Sequence, residues 1–184
     1  ELCIAFENTY KLPIIVTHTM NCIGERQHPE KFIPLCIRKI LSGETVTVHS
    51  DKTKTKSGTR FYIHARNICK ALLFLTEKGQ TGEKYNLVGE KEVSNLDLAK
   101  LIAKIIGKEL KYEMVDFHSS RPGHDLRYSL DGAKLKELGF KYPKTFESIS
   151  IWFKMLIPLY ALKHGDKEGF VEGVVFVHPD GRMA

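Results

Sequence analysis

Four clusters in the sequence set basic or amide side chains beside glycine or proline, between segments of regular apolar spacing. Residues 21–31 hold Asn21, Gly24, Arg26, Gln27, His28, Glu30 and Lys31. Arg60 stands close to Tyr62, Asn86 lies within YNLVG, and a fourth group gathers Arg121, His124, Asp125, Arg127 and Tyr128. A guanidinium offers two parallel charge-assisted bonds to phosphate oxygens. A carboxamide donates and accepts at once, which suits a base or a sugar. The chemistry these types share is the holding of an anionic, hydroxyl-rich ligand. Each has a plainer reading as well. Asn21 and Asn86 are also turn-forming residues that bond their own backbone, Arg26 and Arg121 are also ordinary surface charges, and Glu30 and Asp125 are also counter-charges to nearby arginines.

Reactive constellations are missing. No Gly-x-Gly-x-x-Gly turn follows a strand-like run, so the phosphate cradle of a dinucleotide site is not expected. Neither the P-loop pattern nor Gly-x-Ser-x-Gly occurs, and Tyr10 is followed directly by Lys11 rather than by a lysine four positions on. No catalytic residue is assigned. His28, His64, His118 and His124 are too dispersed to predict a metal site. Cys3, Cys22, Cys36 and Cys69 contain no Cys-x-x-Cys pair and are read as buried thiols of a reducing, cytoplasmic setting.

These side chains need a scaffold, and 184 residues suffice for one domain or part of a larger one. A hydrophobic share of 42% and a charged share of 27% fit a globular chain. The net charge of +6 raises nucleic acid as a partner. Apart from Lys52, Lys54 and Lys56 the charge is spread out, however, and a diphosphate substrate calls for the same sign, so no nucleic-acid partner is expected. No run of about 18 apolar residues exists, hence no membrane span or membrane partner is expected. The opening at Glu1 carries no leader pattern and reads as the middle of a longer sequence.

The periodicity predicts an α/β unit of three or four short strands and four or five helices. Residues 1–10 suit the end of a helix, and residues 14–17 (IIVT) suit a parallel strand buried on both faces. Residues 32–41 have helical spacing with a stop at Ser42 and Gly43. Residues 45–50 alternate, with Val46 and Val48 on one face, and residues 60–64 are read as a strand pairing with them. Asn67 is read as the cap of the next helix, which ends at Gly79. KYNLVG is another strand. Ser94 starts a helix with Asp97 in capping-box position and Gly107 as its stop. LKYEMVDF is strand-like, residues 118–131 form a polar loop, and residues 132–138 a short helix. A further helix is expected from Thr145 to Leu156, and residues 163–184 are not assigned.

Taken together, LPIIVTHTMNCIGERQHPEKFIP, RFYIHARNICKAL, GEKYNLVG and RPGHDLRYSLDGAKLKELGF, in that order, resemble the nucleotide-sugar 4,6-dehydratases of the extended short-chain dehydrogenase/reductase (NAD-dependent epimerase/dehydratase) family. The resemblance implies the C-terminal portion of that fold: the end of a Rossmann sheet plus a small substrate-binding α/β lobe. It assigns residues 1–148 to nucleotide-sugar binding, with the last Rossmann strand or strands, and residues 149–184 to a C-terminal helix and tail. It also implies roles. Asn21 would bond the substrate near its diphosphate, Glu30, Lys31 and Phe32 would line the nucleotide pocket, and Val46 and His49 would flank the base. Arg60 and Arg121 would grip the diphosphate, Asn86 would meet the nucleotide side, and His124 with Tyr128 would close a loop over it.

The implied substrate is a dTDP-hexose or another nucleotide sugar. The implied reaction is NAD-dependent oxidation at C4, loss of water across C5 and C6, and reduction at C6, in a homodimeric parent enzyme. That family carries its cofactor glycines and Tyr-x-x-x-Lys pair in an upstream half, so NAD belongs to the intact enzyme and stable binding to this chain by itself is not expected. Cys22 and Ile23 stand where the family has Asn-Tyr, Glu25 where it has proline, and Phe61 where it has aspartate. An epimerase or decarboxylase of the same family, and a non-catalytic nucleotide-sugar binder, remain as alternatives.

Overall fold

The computed structural model describes residues 1–25, 27–120, 125–146 and 148. Within them lie α1 (Leu2–Tyr10), β1 (Val16–Thr19), β2 (Asn21–Ile23), α2 (Phe32–Leu41), β3 (Val46–Ser50), β4 (Thr59–His64), α3 (Ala65–Lys78) and β5 (Lys84–Leu87). There follow β6 (Glu92–Ser94), α4 (Asn95–Ile106), β7 (Tyr112–Asp116), α5 (Phe117–Ser120), β8 (Arg127–Tyr128) and α6 (Ala133–Glu137). Eight strands among the described residues exceed the three or four expected, because β2, β6 and β8 are two or three residues long and leave almost no alternation to read.

The helices follow from local chemistry. In α2 the buried set Ile33, Pro34, Cys36, Ile37 and Ile40 recurs at helical spacing. Pro34 is tolerated because it lies in the first turn, where backbone N–H groups have no partner in any case. Ser94 caps α4, its hydroxyl accepting the Asp97 N–H at 3.1 Å, and Gly107 ends the helix at φ 74°. Ser94→Ala is expected to lower stability by about 1 kcal/mol, read as an earlier urea midpoint at unchanged slope. An unchanged midpoint would show that the cap contributes nothing.

The expectation for α3 needs correction. The helix starts at Ala65, capped by His64, and Asn67 lies buried inside it. The Asn67 carboxamide instead donates to the Lys144 carbonyl at 2.8 Å and accepts the Lys144 N–H at 2.9 Å, fixing a distant segment. β1 also departs from expectation. It pairs parallel with β5, Val16 opposite Lys84 through Thr19 opposite Leu87. Val16 and Thr17 are only half-buried, though, and His18 and Thr19 are exposed. No described strand lies on its other edge.

β4 organises the rest. It pairs with β6 antiparallel (Arg60 opposite Val93), with β8 parallel (Arg60 opposite Tyr128) and with β2 parallel (Asn21 opposite Tyr62). It does not pair with β3, which runs parallel to β7, and a single bridge between Ser50 and Ser57 joins β3 to the approach to β4. Alternation along β4 sends Tyr62 into one core, with Ile37, Ile40, Val48, Leu98 and Ile102. Ile63 enters a second core, with Met20, Leu75, Tyr85, Leu87 and Leu135. One strand thus ties two apolar clusters together. Where β5 ends, a Cβ on Gly89 would lie 2.1 Å from the Tyr62 carbonyl oxygen, so the two backbones touch at a point only glycine fits.

Of the four thiols expected to be buried, Cys36 is, and burial pushes it up to about 12; Cys3, Cys22 and Cys69 are exposed. Among the described residues no helix is long and apolar enough to cross a membrane, and no group of three His, Cys, Asp or Glu side chains could hold a metal ion.

Candidate functional site

Arg60 is the best-defined candidate. Its Nη1 donates to the carbonyls of Thr59 at 2.7 Å and Leu126 at 2.9 Å, and its Nη2 to the carbonyl of Asp125 at 2.8 Å. Three of the five guanidinium N–H groups are therefore engaged, two of them holding the chain that leads into β8 against β4. The Nε–H and the second Nη2–H have no acceptor among the described residues. Among the described residues those two donors are unengaged, and the other three bonds fix the orientation of the guanidinium.

Leu126 also lines a cavity of about 280 Å³ with Ser50, Asp51, Lys52, Thr53, Phe117 and His118. The cavity opens at the carboxyl ends of the parallel pair β3 and β7, the end at which α/β sheets hold ligands. His49 lies on the half-exposed face of β3 and meets the Phe117 ring edge-on, centroids 5.5 Å apart. Asp51 shapes the rim: its carboxylate accepts the Thr53 hydroxyl at 2.7 Å, the Thr55 N–H at 2.9 Å and the Lys56 N–H at 3.0 Å. These bonds, the Thr53 hydroxyl first, pull its acidity to about 2 and hold the lysine-rich loop folded back on itself.

The structure thus gathers His49, Arg60 and Tyr128 at one locality, Tyr128 exposed and in register with Arg60. Val46 does not join them. It is 1% exposed and packed in the first core, because residues 46 and 49 fall on opposite faces of a strand. Of the two, only His49 lies on the accessible face of β3. Tyr62, grouped with Arg60 in the sequence, is buried, with its hydroxyl donating to Asn95 Oδ1 at 2.7 Å; burial raises its pKa. Arg127 forms a two-pronged pair with Glu92, both bonds 2.8 Å, which holds the Glu92 carboxyl below its usual range.

The other candidates lie apart. Asn21 is exposed on β2, Glu30 and Lys31 are exposed before α2, and Phe32 is half-buried against the first core. Glu30 faces the His28 ring nitrogen at 3.8 Å, and Lys31 occupies the cap position of α2. Asn86 donates to the Asp131 carbonyl at 2.8 Å, a structural tether to the turn before α6. Arg121 and His124, like Arg26 and the helix expected from Thr145 to Leu156, fall in whole or in part outside the described residues. Sequence reasoning missed Phe117, Lys52 and Leu126 as cavity walls. The signal available for Phe117 was its place at the boundary between an apolar strand and a polar loop.

Parallel strands and the helices that connect them define a Rossmann-like α/β unit. The NAD dependent epimerase/dehydratase family model matches residues 1–88. The chain is 39% identical over 159 residues to the dTDP-glucose 4,6-dehydratase of Neisseria gonorrhoeae, covering 80% of this chain and 44% of that protein. It is 36% identical over 143 residues to the low-salt glycan biosynthesis protein Agl12 of Haloferax volcanii, 78% of this chain and 44% of that one. Among solved structures it is similar to the dTDP-glucose 4,6-dehydratase of Bacillus anthracis in complex with NAD, with TM-score 0.72, 28% identity, and 89% and 50% of the two chains covered. The DesIV dehydratase of Streptomyces venezuelae, with NAD and TYD bound, gives TM-score 0.71 and 30% identity over 89% and 48%. The chain belongs to the NAD-dependent epimerase/dehydratase superfamily. It spans about half the length of the relatives it matches.

Proposed function

We propose that this chain is the nucleotide-sugar-binding part of a 4,6-dehydratase acting on a dTDP-hexose. The observation that carries the reading is the Arg60 fork: a guanidinium fixed by three backbone carbonyls, with two donors unengaged among the described residues, beside a cavity of about 280 Å³. The dTDP-glucose 4,6-dehydratases among the relatives support the choice of substrate. In this reading Arg60 and Arg121 take the diphosphate, His49 and Phe117 border the base, and Tyr128 closes over it from β8. Asn21 bonds near the diphosphate, and Glu30, Lys31 and Phe32 line the nucleotide pocket from the start of α2. Such residues give affinity and orientation, placing the hexose for oxidation at C4, loss of water across C5 and C6, and reduction at C6.

NAD supplies the hydride acceptor and donor in that reaction. The Gly-x-Gly-x-x-Gly turn that cradles a dinucleotide pyrophosphate does not occur in this sequence. α1 has no buried residue and exposes Leu2, Phe6 and Tyr10 at four-residue spacing. Exposed apolar surface of this kind marks an interaction site.

Calorimetric titration of the chain with dTDP-glucose and UDP-glucose tests the reading. Saturable binding of the first, with weaker binding of the second, is expected. A demonstrably folded chain that takes up neither would overturn it.

A further inference from the structure

A buried titratable cluster lies outside the cavity. His64 ends β4 opposite Ile23 of β2 and is 2% exposed. Its Nδ1 accepts the Arg66 N–H at 3.1 Å and so caps α3. A nitrogen that accepts carries no proton, which puts the single proton of the neutral ring on Nε2. That nitrogen faces Glu25 Oε2 at 3.7 Å, and the other Glu25 oxygen takes Arg66 Nη2 at 3.4 Å.

Glu25 is the second residue after β2, and Gly24 before it lies against Ala65, where an added Cβ would come within 3.2 Å of the Ala65 Cβ. Gln27 then turns back to bond the Cys22 carbonyl at 2.8 Å. Gly24 and Glu25 are thereby fastened to the start of α3, and Gln27 to the end of β2 beside them.

We propose that Glu25 and His64 are positioning residues for the 21–31 segment, so that nucleotide-sugar affinity follows the protonation of a histidine that never touches the ligand. The inference rests on the reading of residues 21–31 as part of the nucleotide-sugar site. A second proton, taken from solvent, would occupy Nδ1 and remove the acceptor that caps α3. It would also set a positive charge at a helix N-terminus, where the backbone dipole disfavours it. The charged groups facing the ring among the described residues are Glu25, Arg66 and Lys144. Glu25 is the one anion of the three, so the charged ring would move toward it and pull on the segment it anchors.

Burial first, with Arg66 and Lys144 adding to it and Glu25 opposing, holds His64 below the ordinary histidine value of 6.5. The sign follows. Below 6.5 the unfolded chain takes up the proton more readily than the folded one, so stability falls as pH drops through that value. Affinity is expected to fall in the same direction.

The test uses the whole 184-residue chain as wild type, His64→Phe and Glu25→Gln, between pH 4.5 and 8. Nitrogen-15 NMR follows the His64 ring and the backbone amides of Arg66 and residues 24–31 without ligand. Calorimetry follows dTDP-glucose, whose diphosphate does not titrate in this range. In the wild type, the amides and the ring are expected to share one midpoint below 6.5, and affinity to fall about fivefold from pH 7.5 to pH 5, the equivalent of one lost cap bond. His64→Phe is expected to abolish both responses. Glu25→Gln retains the cap, and is expected to lower the ring midpoint further while shrinking the amide shifts. Amides of residues 24–31 that ignore the His64 titration overturn the proposal, as does unchanged pH dependence of affinity in His64→Phe. If no variant binds dTDP-glucose at any pH, the nucleotide-sugar reading falls, and the ligand-free shifts still decide whether His64 positions the segment.

Discussion

Arg60→Ala is expected to weaken dTDP-glucose binding by about a hundredfold. Two guanidinium donors that are unengaged among the described residues, on meeting a diphosphate, each contribute about 1.5 kcal/mol or more as charge-assisted bonds, and about 3 kcal/mol corresponds to roughly two powers of ten. The substitution also releases the carbonyls of Asp125 and Leu126, which Arg60 holds at 2.8 and 2.9 Å. Arg60→Lys restores the charge but not the fork, and should recover less than a third of the lost free energy, since an ammonium cannot bond the three carbonyls and still present two donors. Calorimetry gives the affinities, and a denaturation midpoint measured alongside separates loss of binding from loss of fold. Wild-type affinity in a folded Arg60→Ala chain would remove Arg60 from the site and leave the cavity without its anion anchor.

The largest effect on stability is expected at Gly89. An alanine methyl there would meet the Tyr62 carbonyl oxygen at 2.1 Å and its carbon at 2.7 Å, and backbone on both sides cannot yield as a side chain end does. Gly89→Ala should therefore cost about 3 kcal/mol or more. At Gly132 the nearest neighbours of an added Cβ are side-chain carbons of Val88 at 3.1 and 3.2 Å, and a smaller loss is expected. Chemical denaturation of both variants checks the order. Equal midpoints would mean that β4 and the end of β5 are not locked together. That crossing matters to the site, because Tyr62 is in register with Asn21 and two residues from Arg60.

The family resemblance read from four stretches of sequence agrees with the matched relatives, and the coarse α/β character was legible from periodicity. The role assigned to each residue was legible only in part. Asn86 and Arg127 have the right types for a ligand, yet the structure spends them on Asp131 and Glu92. A side chain's chemistry states what it could bond, and its neighbours decide what it does bond.

What the sequence by itself determined is local. The bonds of α2 and α4 run between residues four apart, so the apolar stripe of each, with the serine cap and terminal glycine of α4, is sufficient to announce a helix. Alternation likewise placed Val46 and Val48 on one face, and the same rule set His49 on the other. Tertiary structure decided which strands pair: β4 joins β2, β6 and β8 across up to 68 residues of sequence rather than the adjacent β3. It also decided that Asn67 binds Lys144 and that three carbonyls orient Arg60. Sheet ladders and buried polar bonds close between residues far apart in the chain, and their partners are fixed by packing of the whole rather than by any pattern a short window contains.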